Sequence, residues 1–188
     1  MLPIAAGVGV LAVVSYLSGP RNTVRMEGSD GHEYDMQNLP HKEEAVELMV
    51  KIRTNLDALR DSYREPALSA DPPVARFLAN YSSDVFVEND MSSPDTSYSE
   101  NKGQKVVVCL RDKTKKPDYP LVDINTIMFV MLHEMSHLMT ETIGHTPEFW
   151  SNFKRILHDA VKLGIYKPVN YAHAPTPYCG MTITDTPM

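Results

Sequence analysis

Residues 132–138 read Leu-His-Glu-Met-Ser-His-Leu, and residues 144–150 read Gly-His-Thr-Pro-Glu-Phe-Trp. The first stretch contains the pattern His-Glu-x-x-His. On a helix, His133 and His137 lie one turn apart on a single face, so that their two imidazoles can share one metal ion. A catalytic zinc ion takes three protein ligands and keeps a fourth position for water. The pattern therefore predicts a metal site and requires a third ligand.

Glu141 and His145 are the two candidates for this third ligand. Glu141 continues the four-residue series, but on a straight helix with a rise of ~1.5 Å per residue it lies about 12 Å along the axis from His133. His145 follows Gly144, and glycine readily adopts the left-handed conformation that ends a helix and turns the chain back. We therefore predict that His133, His137 and His145 bind Zn²⁺.

Glu134 lies about 100° around the helix from His133, where a carboxylate can take a proton from metal-bound water. The alternative is a helix with incidental histidines, because a five-residue match also occurs by chance. However, the helix predicted at 124–143 is apolar on nearly every side, which indicates burial. Polar side chains buried among these apolar residues cost free energy unless they are paired or bound to a metal. We therefore favour the metal site.

The composition is that of an ordinary globular protein. Of the 188 residues, 43% are hydrophobic and 22% are charged, and the formal net charge is -6. This charge argues against bulk electrostatic attraction to nucleic acid or anionic lipid. The two cysteines, Cys109 and Cys179, show neither a disulfide framework nor zinc-ligand spacing. We expect a reducing compartment, with Cys109 as a small buried apolar side chain.

A basic strip lies between residues 101 and 116, with six basic side chains against a single acid. One interpretation is a patch that binds nucleic acid or an acidic substrate. The other, which we favour, is a solvated hairpin edge that lysines protect against aggregation. The six residues are Lys102, Lys105, Arg111, Lys113, Lys115 and Lys116.

The N-terminal residues 2–17 carry no charge, and Arg21 and Arg25 follow them. As a helix this segment spans about 24 Å, slightly short of the ~30 Å hydrocarbon core of a bilayer. The basic residues follow the segment, which favours a single-pass anchor with the domain on the cytosolic side. A cleaved signal peptide and a buried or disordered apolar tail are the alternatives.

The chain is thus predicted to consist of four parts. These are an N-terminal membrane anchor at 1–19, a polar linker at 20–40, a globular domain at 41–165 and an extended C-terminal tail at 166–188.

Apolar spacing predicts the other elements of the domain. An amphipathic helix is expected over 41–64, packed on the core, with partner binding as the alternative role. A further helix should open at residues 146–148 and end at Gly164. We also expect a short helix over 71–80 and strands over 84–88 and 105–110. Residues 89–103 are predicted to form a mobile surface loop. Asp123 is the predicted N-cap of the metal-binding helix.

The stretch from Val106 to Leu157 combines an Arg-terminated strand, the motif Leu-His-Glu-x-x-His and a Gly-His-x-x-x-Phe ending. In this combination the chain resembles the WLM and SprT-like group of zinc metallopeptidases. The resemblance implies an α+β fold, a zincin-like metallopeptidase domain with a small sheet packed on the active-site helix. With the N-terminal segment, the expected architecture adds a transmembrane helix in front of this domain. The resemblance further implies that the strand before the helix binds the substrate backbone in extended form.

The resemblance also has departures. The gap between His137 and His145 is longer than the usual WLM spacing and shorter than the usual SprT spacing. Members of these families often degrade protein crosslinked to DNA, but no nucleic-acid-binding region is recognisable after the core of this chain. Nucleic acid is therefore not the partner we expect. A small anchored zincin of this kind looks like those carried by large DNA viruses, as a virion component.

The predicted function is a zinc-dependent endopeptidase that acts on protein or peptide substrates, with Glu134 as the general base on zinc-bound water. Three tyrosines, Tyr166, Tyr171 and Tyr178, are unranked candidates for stabilising the oxyanion. The alternative function is a non-catalytic membrane-anchored or virion structural protein that keeps a zinc site for stability.

A regulatory interpretation comes from residues 177–180. Their sequence Pro-Tyr-Cys-Gly is similar to the Pro-x-Cys-Gly thiolate switch of secreted matrix metalloproteases, in which a cysteine occupies the open zinc position. For Cys179 we favour packing or disorder over this switch.

Overall fold

The structure is a computed structural model that describes residues 22–188. The anchor predicted at 2–17 lies outside the described residues, so its membrane location stays a prediction. Among the helices of residues 22–188, none combines the length and the apolar character needed to cross a bilayer.

Residues 22–188 form a mixed α+β fold with small sheets. In chain order the elements are β1 (Thr23–Glu27), β2 (Glu33–Gln37), α1 (Lys42–Ser62), α2 (Pro66–Ser69), α3 (Pro72–Asn80), a 3-10 turn (Ser83–Val85), β3 (Phe86–Glu88), β4 (Tyr98–Glu100), β5 (Lys105–Val108), α4 (Ile124–Met139), α5 (Pro147–Lys162), β6 (Thr176–Tyr178) and β7 (Met181–Ile183).

The helices predicted from apolar spacing are found with small shifts at their ends. α1 was expected over 41–64 and buries the apolar side chains that define its period, so its role is core packing. α3 and α5 lie where they were predicted, and both begin with a proline, whose fixed φ suits the first turn of a helix. The predicted strands at 84–88 and 105–110 appear as β3 and β5 in shortened form.

α4 is the centre of the fold. It contacts the helices α1, α3 and α5 and the strands β4 and β6. Beside it lies a three-stranded sheet in the order β3-β5-β4, with β3 parallel and β4 antiparallel to β5. Val106 and Val108 of β5 belong to the same buried cluster as Ile127, Met131 and Met135 of α4. The helix α4 is therefore surrounded by the core, as its composition predicts.

The prediction of a linker over 20–40 was wrong for its described part. β1 and β2 pair as an antiparallel hairpin, and β2 alternates between exposed and buried positions. Tyr34 and Met36 are 3% and 0% exposed and lie in the main core. The average polarity of this stretch hid the two-residue period, which is the signal of a strand with one buried face.

Part of the C-terminal segment that was predicted as an extended tail forms a hairpin. β6 and β7 are joined by Cys179 and Gly180, with φ values of 52° and 86°. Two consecutive positive φ angles are typical of the tight turns that match the twist of a hairpin. Cys179 forms a disulfide with Cys109, at a Cα–Cα distance of 6.2 Å and a sequence separation of 70 residues. The expectation of two reduced cysteines was therefore wrong.

Removing this disulfide should lower the free energy of unfolding by about 2–4 kcal/mol, because the bridge restricts the unfolded chain. The test is urea unfolding of the double variant Cys109→Ser/Cys179→Ser beside the oxidised wild-type chain. Reductant should shift the wild-type midpoint towards that of the double variant and leave the double variant unchanged. Equal midpoints for the oxidised and reduced wild type would contradict the expected stabilisation.

Candidate metal centre and active-site cleft

The helix that carries the site begins at a capping aspartate. Asp123 Oδ1 accepts hydrogen bonds from the backbone N–H groups of Asn125 at 2.9 Å and Thr126 at 3.3 Å. These bonds satisfy two of the donors left open at a helix start, so the predicted cap is confirmed. The cap fixes where α4 begins, and with it the face on which His133 and His137 lie.

Three imidazoles converge beside the second half of α4. The candidate ligand nitrogens of His133, His137 and His145 all lie within 4.8 Å of one another. The Nε2 atoms of His133 and His145 are 3.1 Å apart. This is close to the roughly 3.3 Å between two nitrogens on one tetrahedral zinc ion at Zn–N ≈ 2.0 Å. Glu141 is not in the cluster, and its carboxylate lies 3.7 Å from the Arg76 guanidinium.

His145 reaches the cluster because the chain leaves the helix early. α4 ends at Met139, four residues before the predicted end, and in the loop that follows Gly144 has a φ of 85°. This conformation suits glycine, which has no Cβ to clash. The Glu148 carboxylate holds the loop by accepting two of its backbone N–H groups at 3.0 and 3.2 Å. This role of Glu148 was missed, because sequence shows only an acid in the first turn of a helix.

Phe149 lies against all three histidines. Its ring centroid is 4.8 Å from that of His133, 4.4 Å from that of His137 and 4.7 Å from that of His145. Phe149 is fully buried, whereas Trp150 is 43% exposed and lies 5.8 Å from His145. The start of α5 thus orients the imidazoles by apolar packing.

The histidines have the chemistry of a metal-ligand set. The pKa of His133 is lowered to about 3, mainly by burial and to a smaller extent by the other imidazoles of the cluster. The pKa of His137 is lowered to about 4, mainly by burial and to a smaller extent by the nearby His145 and Lys102. Both imidazoles are therefore neutral near pH 7, and a neutral ring nitrogen has the lone pair that a metal ion needs. The donor set fits zinc.

Glu134 is buried beside the cluster, with 8% of its surface exposed. Its Oε2 atom accepts the Ser99 backbone N–H at 3.0 Å and the Ser99 hydroxyl at 3.2 Å. Burial raises the pKa of Glu134 to about 7, against the lowering effect of these two bonds. A carboxyl group that titrates near neutral pH can both accept and return a proton.

The segment that supplies Ser99 was wrongly predicted to be a mobile surface loop. Within residues 89–103, the side chains of Asn89 and Ser97 are buried, and β4 pairs with β5. The Ser97 hydroxyl accepts the Cys109 backbone N–H at 2.9 Å. Serine, asparagine and aspartate are abundant in loops, but here their side chains bond to neighbouring backbone and make the segment part of the fold.

β4, and not β5, has the free edge beside the site. β5 is paired on both sides, so the expectation that the strand before the helix binds substrate directly was wrong. β4 is the edge strand, and the Ser99 N–H is turned towards Glu134 of α4. The edge available to an extended chain therefore runs past the candidate general base.

Two cavities flank the histidine cluster, and both are lined by His133 and Glu134. The larger, of ≈ 620 Å³, lies between β4 and the loop around Gly144 and is also lined by Tyr98 and Lys102. The smaller, of ≈ 230 Å³, lies on the side of α5 and the C-terminal hairpin. We call them the main cleft and the side pocket.

A profile of the WLM domain matches residues 98–173, which include β4, β5, α4 and α5. Residues 98–173 form a WLM domain. The resemblance to WLM proteins is therefore confirmed for the part of the chain that contains Glu134 and the three histidines.

Relatives of this chain occur in viruses. Uncharacterized protein R325 of Acanthamoeba polyphaga mimivirus is 29% identical over 191 residues, covering 98% of this chain and 95% of the relative. Uncharacterized protein 136R of Invertebrate iridescent virus 6 is 35% identical over 82 residues, or 44% of this chain and 45% of the relative. The first similarity spans the chain, whereas the second covers less than half of either protein.

The WLM domain and its surroundings share a fold with Wss1 from Saccharomyces cerevisiae. One crystal structure of Wss1 aligns with a TM-score of 0.50 and 20% identity, over 69% of this chain and 86% of that chain. A Wss1 mutant aligns with a TM-score of 0.51 and 19% identity, over 70% and 91%. At this identity the likeness shows the fold. Domain and fold together are consistent with a zinc metallopeptidase family.

The three tyrosines and the cysteine suggested for the site have their contacts elsewhere in the fold. Tyr166 and Tyr171 are buried beside Phe129, nearer the start of α4. The Tyr178 hydroxyl is buried between the Ser97 hydroxyl at 2.5 Å and the Cys109 carbonyl at 3.0 Å. None of the three lines the main cleft. Cys179 is held in the disulfide, so it has no thiolate with which to block a zinc ion.

The basic strip is partly paired and partly exposed, with the Lys105 and Lys115 side chains 45% and 69% exposed. Five of its six side chains have polar partners. Lys102 donates to the Thr140 and Glu141 carbonyls, and Lys113 donates to the Ser93 and Asp95 carbonyls. The other three form ion pairs, Lys105 with Glu100, Arg111 with Glu88 and Lys115 with Asp112. Arg111 is fully buried and does not belong to a solvated edge. The nucleic-acid interpretation of this strip stays a hypothesis.

Proposed function

We propose that this chain is a zinc-dependent endopeptidase that hydrolyses protein substrates in extended conformation. The observation that carries the proposal is the convergence of His133, His137 and His145 beside the buried carboxylate of Glu134. Three protein ligands leave one position of a tetrahedral ion open, as in catalytic rather than closed structural zinc sites.

In this proposal, His133, His137 and His145 hold the ion. Bound zinc would act as a Lewis acid towards water and the scissile carbonyl. Glu134 takes a proton from the attacking water and returns it to the leaving amine, as a carboxyl group with a pKa near 7 can do. Ser99 is a positioning residue, because its N–H and hydroxyl hold one carboxylate oxygen in place.

The main cleft supports the choice of an extended substrate. Among the strands of residues 22–188, β4 lies at the edge of its sheet along this cleft, and an extended peptide can add to such an edge through main-chain hydrogen bonds. Because these bonds involve only main-chain atoms, unfolded protein is the preferred substrate class.

The first test of the proposal measures metal content and turnover together. We expect purified chain to contain about one zinc ion and to cleave unfolded casein. A chelator should stop cleavage, and added zinc should restore it. His145→Ala should lose the zinc, whereas His158→Ala should keep it, because His158 is exposed on α5 outside the cluster.

The outcomes of this test separate the two functions considered. Folding that depends on zinc, with no cleavage of any unfolded protein, would favour the non-catalytic membrane or virion structural protein. Cleavage that survives complete zinc removal would overturn the proposed chemistry. Parallel reactions with and without single-stranded DNA show whether nucleic acid changes the rate.

A further inference from the structure

The side pocket is an apolar cavity that shares its wall with the candidate active site. Phe129, Phe153 and Trp150 contribute aromatic surface from α4 and α5, and His133 and Glu134 form the wall shared with the main cleft. At ≈ 230 Å³ it lies below the range of about 300–1,000 Å³ typical of small-molecule sites. Its size and position suit a single side chain of a chain lying in the main cleft.

Residues 181–185 close the opposite wall of the side pocket. They include β7, which is joined through the turn at Cys179 to β6. Met181 is 48% exposed and Ile183 is 7% exposed, so the wall presents one half-exposed and one buried apolar side chain. Asp185 lies on the same wall, and its carboxylate makes the pocket unfavourable for an acidic side chain.

The hairpin is held in this position by groups outside the pocket. The disulfide ties Cys179 to Cys109, which directly follows the central strand β5. Next to it, the Tyr178 hydroxyl contacts the Ser97 hydroxyl and the Cys109 carbonyl. One covalent bond and two hydrogen bonds therefore attach the turn of the hairpin to the central sheet. The placement of Met181 and Ile183 beside Glu134 depends on this attachment.

We propose that the side pocket selects an apolar substrate side chain next to the scissile bond, with Met181 and Ile183 as specificity-determining residues that the Cys109–Cys179 disulfide holds in place. This proposal rests on the proposed function, since it assigns a subsite to the same active site. The proposal differs from the proposed function in what it explains, because it concerns which substrate side chain binds and not how the amide is cleaved.

The test measures binding in the zinc-loaded full-length Glu134→Gln chain, in which turnover is removed. Trp150 lines the pocket and is the single tryptophan of the sequence, so its fluorescence reports occupancy. The probes are blocked peptides that differ at one position, with Leu, Phe, Lys or Asp. We expect the Leu and Phe peptides to bind at least about 10-fold tighter than the Asp peptide, the range that one apolar pocket provides.

Two further variants in the same background assign the selectivity to the hairpin. Met181→Ala should reduce the preference for Leu over Asp by about 3- to 10-fold. Met188→Ala is the matched control, since Met188 is also exposed in the C-terminal segment but does not line the pocket. The pair Cys109→Ser/Cys179→Ser should reduce the preference to less than about 2-fold, with zinc content unchanged.

Each result decides for or against the subsite. Equal binding of the Leu and Asp peptides, or a preference that Met181→Ala leaves intact, would overturn it. Tighter binding of all peptides after loss of the disulfide would also overturn it, because the hairpin would then be a strap that blocks the site. If the Glu134→Gln chain binds these peptides selectively but the wild type cleaves no protein, the pocket is supported and the proposed function is refuted. The failure of one proposal can therefore be told apart from the failure of the other.

Discussion

The Glu134→Gln variant should bind about one zinc ion and lose at least ~100-fold of the rate at which the wild type cleaves unfolded casein. Glutamine has nearly the same shape and keeps an oxygen that can accept from Ser99, but it cannot take a proton from water. General acid–base groups contribute about 10²–10⁴-fold to rates, so the loss should lie in this range or above it. Zinc content is measured on the same preparation.

A matched control for this variant is Glu141→Gln. Glu141 belongs to the segment that joins α4 to α5, but its side chain is 81% exposed and pairs with Arg76 outside the histidine cluster. We expect its zinc content and cleavage rate to equal those of the wild type. Retained cleavage in Glu134→Gln would show that Glu134 is not the general base. Loss of zinc in Glu134→Gln would instead assign Glu134 a part in holding the metal site together.

Glu88→Ala should lower the free energy of unfolding by about 3–5 kcal/mol, because it leaves a buried guanidinium without its counter-charge. Arg111 Nε donates to Glu88 Oε1 at 2.7 Å, and both side chains have no solvent-accessible surface. The second carboxylate oxygen accepts the Gln37 backbone N–H at 2.7 Å. Urea unfolding followed by circular dichroism measures the loss.

Two controls separate burial from charge in this experiment. Glu100→Ala removes an exposed partner of Lys105, and a surface pair of this kind contributes only about 0–1 kcal/mol. The double variant Glu88→Leu/Arg111→Met should recover much of the stability lost in Glu88→Ala, since an apolar pair leaves no buried charge. A stability within about 1 kcal/mol of the wild type for Glu88→Ala would show that the pair is not essential.

The Glu88–Arg111 pair also explains why an arginine follows β5, the strand before α4. Arg111 connects that strand to β3 through Glu88 and donates to the carbonyl of Pro40, directly before α1. Glu88 in turn reaches β2 through the Gln37 N–H. The arginine is therefore a structural element that joins the N-terminal hairpin to the central sheet.

Much of the candidate site could be predicted because its parts are close in sequence. His133, His137 and His145 lie within thirteen residues, so helix period and the freedom of Gly144 were enough to propose that they meet. The N-cap at Asp123 is equally local. The end of α4 was less predictable, because the loop after it depends on Glu148 of the next helix.

Sequence by itself determined the candidate metal-ligand pattern, the long helices and the family resemblance, because periodicity and residue spacing act within one or two helical turns. Tertiary structure alone decided that Ser99 holds Glu134, that Tyr34 and Met36 belong to the core, and that Cys179 pairs with Cys109 seventy residues away. Each of these contacts joins segments distant in the chain, and local propensity does not encode which distant segment packs against which. The wall of the side pocket belongs to this second group, since it exists only after the C-terminal hairpin returns to the sheet.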